Sequence, residues 1–175
     1  AEVPKDRQFV GFDAYQKVID SGVDMVILTT PPHFRPEHIA AAVKAKIHVF
    51  CEKPMAVDGT GVRSVIESTK LAKENDTNLV GGFCWRYNLP LRAAYKQIHD
   101  GAIGDVRSIF ATYYTSPLWT KPRQESWSDM EWQMRNWVHF GWLCGDHIVE
   151  QACHSIDKIN WAMENVAPVS ATAVG

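Results

Sequence analysis

Short apolar runs alternate with longer stretches of helical periodicity over the N-terminal part of the chain. The apolar runs are bounded by turn-forming residues and predict buried strands at residues 25–28, 48–51 and 78–84. The periodic stretches predict helices at residues 13–21, 36–46, 58–72 and 88–101. Strands that alternate with helices of this length predict an α/β fold with a parallel sheet and crossover helices.

The pattern changes after residue 101, where we place a boundary between residues 1–101 and residues 102–175. Residues 106–115 are β-branched and aromatic and predict a long strand with no crossover helix after it. An irregular, tryptophan-rich stretch then predicts a functional loop. A helix at 147–163 and a strand at 169–174 complete the prediction.

The predicted parallel sheet has the size of half a doubly wound domain, and its first strand would be left as an exposed edge. We therefore expect a βαβ segment upstream of residue 1. The second unit ends on a strand that has only just begun, so we expect the chain to be truncated at both ends.

Composition excludes several classes of partner. Net charge is -2 and basic residues are scattered, which argues against nucleic acid and anionic membranes. No apolar run approaches the ~20 residues of a membrane span, and the first residues do not form a signal peptide. The 4 cysteines form no Cys-x-x-Cys pair, so we expect reduced, mostly buried thiols rather than a zinc site, while two disulfides remain an alternative.

Polar residues follow two of the predicted strands directly. Glu52, Lys53 and Pro54 follow one strand, and a Thr-Thr-Pro-Pro turn at residues 29–32 follows its neighbour. Ligands of open α/β sheets bind beyond the carboxyl ends of the strands. Chemistry is therefore expected at Lys53, although an ordinary ion pair and a plain strand terminator explain the same residues.

The predicted helix at 147–163 has two distinct sides. One side is apolar, and the other carries His147, Glu150, His154, Asp157 and Trp161. Glu150 and His154 are four residues apart, so the carboxylate can orient the imidazole as in proton-transfer sites. A solvated polar face is the alternative, and the spacing does not favour a metal.

A Gly-x-Gly pattern at residues 59–61 is typical of a phosphate-binding loop but matches it weakly. The third glycine is Ser64, and six residues separate Gly59 from the end of the preceding strand. A flexible helix N-terminus is the better interpretation. Histidines in positions such as those of His33 and His38 more often cap a helix or pack against it than act as catalysts.

These features together resemble the Gfo/Idh/MocA family, which includes glucose-fructose oxidoreductase and inositol dehydrogenase-like proteins. The resemblance covers nearly the whole chain. Its motifs, in chain order, are Thr29-Thr30-Pro31-Pro32, His48-Val49-Phe50-Cys51-Glu52-Lys53-Pro54, Trp85-Arg86-Tyr87-Asn88, Gly101-Ala102-Ile103-Gly104-Asp105-Val106 and Glu150-Gln151-Ala152-Cys153-His154-Ser155-Ile156-Asp157.

The resemblance implies a partial Rossmann domain at 1–101, followed by the start of an α+β domain with an open, mainly antiparallel sheet. It implies an NAD- or NADP-dependent oxidoreductase acting on a sugar or polyol hydroxyl. The implied catalytic residues are Lys53, His154 and Glu150. The implied cofactor contacts are Thr29, Thr30, Pro31, Pro32, His38, Glu52, Lys53, Pro54 and Arg86. The implied substrate contacts are Lys53, Tyr87, Trp137, His147 and His154, and no metal is expected.

The sequence departs from the family pattern at three points. Glu150 replaces the usual aspartate, Lys46 stands where glycine is common, and the Gly-rich phosphate turn is not in the chain. Two alternatives stay open, an NAD-dependent glycosidase and a non-catalytic binding or oligomerisation module. We expect a homodimer or homotetramer. A cytoplasmic location is favoured over a periplasmic one, although the sequence does not determine the compartment.

Overall fold

The computed structural model describes residues 2–174. The chain forms two compact units, one of residues 1–82 with 117–150 and one of residues 83–116 with 151–175. The predicted domain boundary at residue 101 stays a prediction, because compact units report contacts within this chain rather than domains of a whole protein.

A parallel sheet forms the centre of the first unit, as the alternating pattern predicts. Its 3 strands lie in the order β1 (Met25–Leu28), β2 (His48–Glu52) and β3 (Leu79–Gly82). Val26 pairs with Val49 across the first pair of strands, and Glu52 pairs with Gly82 across the second. The predicted α/β class and parallel topology are therefore confirmed.

Helices pack on one face of this sheet. They are α1 (Ala14–Asp20), α2 (Arg35–Lys44) and α3 (Gly59–Glu74), with short 3-10 turns at Lys5–Arg7 and Pro32–Phe34. The inward side chains of the strands meet those of the helices in a single buried cluster. Its fully buried members include Ile39, Ala42, Val43 and Cys51.

The opposite face of the sheet is open within the described residues. Met25 and Ile27 of β1 are 54% and 60% exposed, whereas Val26 and Leu28 are buried. A continuous apolar run predicts burial on both faces. That part of the prediction is wrong for this chain, because α2 and α3 cover the same side.

The second unit contains a 3-10 turn at Cys84–Tyr87 and two helices, α4 (Leu89–His99) and α7 (Cys153–Ala162). Residues 106–115 and 169–174 form no strand in the part of the chain that the structure describes, so both strand predictions are wrong here. β-propensity favours extended backbone, but a strand needs a neighbour to accept and donate its hydrogen bonds.

The tryptophan-rich stretch is more ordered than its sequence predicts. It contains α5 (Asp129–Arg135), a 3-10 turn at Trp137–His139 and α6 (Gly141–Cys144). Asn136, 1% exposed, pairs with both backbone groups of Lys121: its Oδ1 accepts from the Lys121 amide at 2.7 Å and its Nδ2 donates to the Lys121 carbonyl at 3.1 Å. One amide side chain thus fixes the loop that precedes α5.

The predicted helix at 147–163 begins as a π-helical turn, Ile148–Ala152, and continues as α7. Its burial is the reverse of what an amphipathic pattern suggests. Ile148 and Ile156 are 47% and 46% exposed, whereas Glu150 and His154 are 6% and 8% exposed. The alternative of a solvated polar face is therefore wrong for these two residues. Cys51 and Cys144 are buried, whereas Cys84 is exposed and Cys153 is intermediate, so the expectation of mostly buried thiols is met by two of the four.

Lys46 lies just after α2 with a left-handed φ of 61°. Its amide and that of Ile47 donate back to the Val43 and Ala42 carbonyls, the pattern of a helix C-terminus that prefers glycine. We expect Lys46→Gly to raise the free energy of unfolding by about 0.5–1 kcal/mol. Urea unfolding tests this. Lys44→Gly, at the last residue of α2, is the control and should lower stability rather than raise it, because glycine is a poor helix former.

Candidate functional site

Lys53 lies directly beyond the end of β2 and is bound by Glu150, a residue of the same compact unit. Its Nζ donates to Glu150 Oε1 at 2.8 Å and also to the Glu150 carbonyl oxygen. The side chains are only 13% and 8% exposed, and the Lys53–Pro54 peptide bond is cis. Two contacts to one residue fix the position of the ammonium at the edge of the sheet where ligands of α/β folds bind.

Burial dominates the electrostatics of Glu150. It raises the pKa of the carboxyl above its usual value, while the hydrogen bond and charge of Lys53 and the charge of Arg35 act in the opposite direction. Glu150 is the residue that the resemblance assigns to a catalytic role. The structure pairs it with Lys53 across 97 positions of sequence.

The Thr-Pro turn lines an apolar cavity of about 410 Å³ along β1. Thr29, Thr30, Pro31 and His38 of the predicted cofactor contacts contribute to its wall, together with aromatic residues Phe12, Tyr15 and Phe34. The volume is within the range of small-molecule sites. The other predicted contacts on this edge, Pro32, Glu52, Lys53 and Pro54, are not part of its lining.

His38 is held by packing as well as by a hydrogen bond. Its ring stacks on Tyr15 at 4.3 Å, and its Nδ1 lies 3.3 Å from Thr30 Oγ1. The side chain is 7% exposed, and burial lowers its pKa. The imidazole is thus a neutral part of the cavity wall. Its predicted contact with a cofactor stays a prediction.

The depressed pKa of His38 makes stability depend on pH. The unfolded chain binds a proton at His38 below about pH 6.5, whereas the folded chain resists it, so the free energy of unfolding should fall as pH drops below that value. The slope is at most about 1.4 kcal/mol per pH unit. Urea unfolding between pH 7.5 and 5 measures it. His38→Phe should reduce the slope, and His33→Phe, at an exposed position, should leave it unchanged.

The Gly-x-Gly pattern has a packing explanation. Asp58 caps α3 by accepting from the Gly61 amide at 2.7 Å, so a carboxylate of the chain itself already lies at this helix N-terminus. A Cβ on Gly61 would lie 2.9 Å from Ala56 Cβ and 3.0 Å from Pro36 Cγ. Gly61 therefore allows α3 to approach α2, and the turn is a capped and packed helix N-terminus rather than the flexible one predicted from the sequence.

In the second unit, Arg86 forms a bidentate ion pair with Asp157. Its Nε and Nη2 donate to the carboxylate at 2.8–3.0 Å, and its guanidinium lies 5.4 Å from the Trp161 ring. Trp161 also stacks on Tyr95 at 4.0 Å. These contacts join the 3-10 turn to α4 and α7. Tyr87, in the same turn, is 57% exposed.

His154, the second residue of α7, lies between aromatic rings of its own unit. Tyr113 stacks on it at 5.9 Å and Trp85 meets it edge-on at 6.4 Å. The hydroxyl of the adjacent Ser155 donates to the Thr112 carbonyl at 2.9 Å, which holds this extended segment beside the helix. The predicted catalytic imidazole is thus buried and ordered.

The remaining predicted contacts differ in environment. Trp137 is partly buried and meets Trp119 edge-on at 6.3 Å, whereas His147 is exposed.

Among residues 2–174, no group of three metal-binding side chains is found. No helix in the same range has the length and hydropathy to cross a membrane.

Sequence reasoning missed Arg35, which is 3% exposed and contacts the backbone on both sides of Lys53. One signal was available in the sequence. Arg35 stands at the start of a predicted helix, where the helix dipole disfavours a positive charge. A cation at that position indicates that acceptors lie nearby.

The first unit has a parallel sheet, crossover helices and polar residues at the carboxyl ends of its strands. These features define it as part of a Rossmann-like dinucleotide-binding fold. Residues 1–83 match the model of a known family, described as "Oxidoreductase family, NAD-binding Rossmann fold". Over these residues the match confirms the predicted resemblance to the Gfo/Idh/MocA family of oxidoreductases. The family description also confirms the predicted NAD-type cofactor.

The relatives include a dehydrogenase and a protein named a hydratase. The chain is 34% identical over 92 residues to myo-inositol 2-dehydrogenase of Thermotoga maritima, covering 53% of this chain and 27% of that protein. It is 23% identical over 174 residues to 2,7-anhydro-N-acetylneuraminate hydratase of Escherichia coli, covering 99% of this chain and 42% of that protein.

Among solved structures, myo-inositol 2-dehydrogenase from Lactobacillus plantarum superposes with a TM-score of 0.60 at 27% identity. The superposition covers 85% of this chain and 40% of that one. The chain therefore spans less than half the length of these relatives.

Proposed function

We propose that the protein to which this chain belongs is an NAD(P)-dependent oxidoreductase. It transfers hydride between nicotinamide and a carbon of a sugar or polyol that carries a hydroxyl or keto group. The observation that carries the proposal is Lys53, held by a buried Glu150 at the carboxyl edge of a sheet that belongs to an NAD-binding family. The inositol dehydrogenases among the relatives support the substrate class.

In this proposal the Lys53 ammonium donates a hydrogen bond to the oxygen of the reacting carbon. That bond stabilises negative charge on the oxygen as its proton leaves, and it polarises the carbonyl in the reverse direction. Glu150 accepts from the same ammonium and keeps it aimed at one place. The bound nicotinamide supplies the hydride acceptor or donor.

The cavity walls beside the Thr-Pro turn offer a place for the nicotinamide end of the cofactor. Thr29 and Thr30 provide hydroxyls, and the surrounding apolar residues exclude water. No Gly-x-Gly-x-x-Gly turn occurs in the 175 residues, so the groups that bind the pyrophosphate are proposed to lie elsewhere in the whole protein.

The remaining roles rest on the family resemblance. We propose His154 as the acid/base group. Further proposed contacts with cofactor or substrate are Pro32, Glu52, Pro54, Arg86, Tyr87, Trp137 and His147. The faces of the exposed tryptophan rings, Trp119 and Trp142, would stack on a sugar ring. A homodimer or homotetramer stays a prediction.

A second candidate is supported by the relative named a hydratase, which aligns with 99% of this chain. In such an enzyme, and in the NAD-dependent glycosidase predicted as an alternative, the cofactor would be oxidised and reduced within one turnover. The same lysine and carboxylate would serve both reactions. Only the balance of NADH distinguishes them.

An assay of the whole protein tests the proposal. Inositols, aldoses and anhydro sugars are incubated with NAD or NADP, and NADH or NADPH is followed at 340 nm while products are followed by chromatography. Net reduced cofactor with at least one substrate supports the oxidoreductase. Product without net reduced cofactor supports the second candidate. No turnover in either assay, with cofactor binding shown by calorimetry to be absent, contradicts both.

A further inference from the structure

Arg35 is a buried cation that the proposed mechanism does not use. It is the first residue of α2, it is 3% exposed, and burial lowers its pKa. Arginine is almost never fully buried unless it is paired. The contacts of its guanidinium should therefore identify its role.

All of its hydrogen bonds go to backbone carbonyls at the ends of two strands. Nε donates to Thr30 at 2.8 Å, and Nη1 donates to Glu52 at 2.9 Å and to Pro54 at 2.7 Å. Thr30 belongs to the turn after β1, whereas Glu52 and Pro54 flank Lys53. One rigid guanidinium thus joins the cavity turn to both sides of the lysine.

These bonds also satisfy groups that would otherwise be costly. A buried carbonyl without a donor destabilises the fold, and a charged donor makes a stronger bond than a neutral one. In addition, the charge of Arg35 acts on the carboxylates of Glu52 and Glu150. Together with Lys53 it balances two acids in a largely buried cluster.

We propose that Arg35 is a positioning residue for the reaction: by holding the carbonyls of Glu52 and Pro54, its guanidinium sets where the Lys53 ammonium meets the substrate. This rests on the proposed role of Lys53. A helix residue with a purely structural task would stabilise the fold without affecting turnover per folded molecule. Placement of a reacting group within about 1 Å affects the rate about a hundredfold.

The test compares Arg35→Lys with Arg63→Lys in the whole protein. Lysine keeps the positive charge of Arg35, but its three donors share one nitrogen and cannot reproduce the fixed spacing of Nε and Nη1 in the planar guanidinium. Arg63 is an exposed arginine of α3 whose contact is with Thr60 at 3.1 Å, which makes it a matched control. We expect kcat per folded molecule to fall thirtyfold to a hundredfold for Arg35→Lys, with KM for NAD changed less than threefold, and no change for Arg63→Lys.

A second measurement covers the case in which Arg35→Lys folds poorly. In Arg35→Ala, added methylguanidinium should restore kcat at least tenfold at concentrations that leave the melting temperature unchanged. Equal kcat in wild type and Arg35→Lys overturns the inference, and so does a rescue that affects melting temperature alone. If Lys53→Met is itself fully active, the proposed function fails instead, so the two failures are distinguishable.

Discussion

Replacing Lys53 with methionine is expected to lower kcat of the whole protein about a thousandfold. Methionine keeps an unbranched stem of similar length but removes the ammonium, so the reacting oxygen loses its hydrogen-bond donor. Positioned acid–base groups contribute about 10²–10⁴ to rate. The expected loss lies in the middle of this range because Glu150 remains to bind water or substrate hydroxyls.

The measurement is the initial rate with saturating cofactor and the best substrate of the assay above. Lys70→Met is the control, because Lys70 is a lysine of the same unit with an exposed ion pair to Glu67 at 2.7 Å. Its kcat should remain within a factor of two. A kcat of Lys53→Met within tenfold of wild type would exclude Lys53 from the chemistry.

KM separates a catalytic from a binding role. If Lys53 acts mainly in the transition state, kcat and kcat/KM fall together. If it contributes only to binding of the ground state, KM rises and kcat is preserved. We expect the first pattern, since a second contact to the Glu150 carbonyl fixes the ammonium before substrate arrives.

Local sequence signals predicted the secondary structure of the first unit well. Asp58, the first residue of the helix predicted at 58–72, caps that helix by accepting from the Gly61 amide at 2.7 Å. Asn88 does the same for the helix predicted at 88–101 in the second unit, where it accepts from the Leu91 amide at 3.1 Å. The strands were predicted from apolar runs between turns. Both signals depend on neighbours in sequence, which is why a single chain is enough to recognise them.

Burial of the last helix could not be predicted in the same way. Its amphipathic pattern identifies two sides, but the side with Glu150 is buried because a lysine 97 positions away binds its carboxylate. Glu150 and His154 are buried and Ile148 and Ile156 are exposed, opposite to what hydrophobicity alone assigns to them, whereas His147 of the polar side is exposed as expected. A residue that neutralises a charge over such a distance leaves no local signal.

The same limit applies to the failed strand at residues 106–115 and to Arg35. A strand depends on a partner for its hydrogen bonds, and Arg35 depends on carbonyls up to 19 positions away. In both cases the sequence specifies a propensity or a charge, and the tertiary structure decides what it contacts. The residues Lys53 and Glu150 are therefore visible in the sequence, whereas the contact between them and the role of Arg35 are not.

The ion pair of Lys53 and Glu150 should dominate the stability of the site. Removing one partner of a buried pair leaves the other charge without compensation, at a cost of about 3–5 kcal/mol. We expect Lys53→Met and Glu150→Gln each to destabilise the whole protein by an amount near the lower end of this range, because both side chains retain slight exposure. The double variant should lose much less than the sum of the two.

Lowering the pH should reverse part of the loss of stability in one of the two single variants, Lys53→Met. Burial raises the pKa of Glu150 above its unfolded value, so its ionisation lowers stability as pH rises through the folded pKa, and protonation restores it as pH falls. Without Lys53 that pKa rises further. The deficit of Lys53→Met relative to wild type should therefore shrink between pH 7.5 and 5, whereas in Glu150→Gln no carboxyl at residue 150 is left to protonate.

Urea unfolding of the four proteins at the two pH values measures both effects. Taking each variant relative to wild type at the same pH removes the contribution of His38. A coupling free energy of at least about 2 kcal/mol at pH 7.5, decreasing at pH 5, is the expected result. If the losses of the two single variants add up to that of the double variant within about 0.5 kcal/mol, water or another group replaces each missing partner. The pair would then be a consequence of the fold rather than the contact that fixes the lysine.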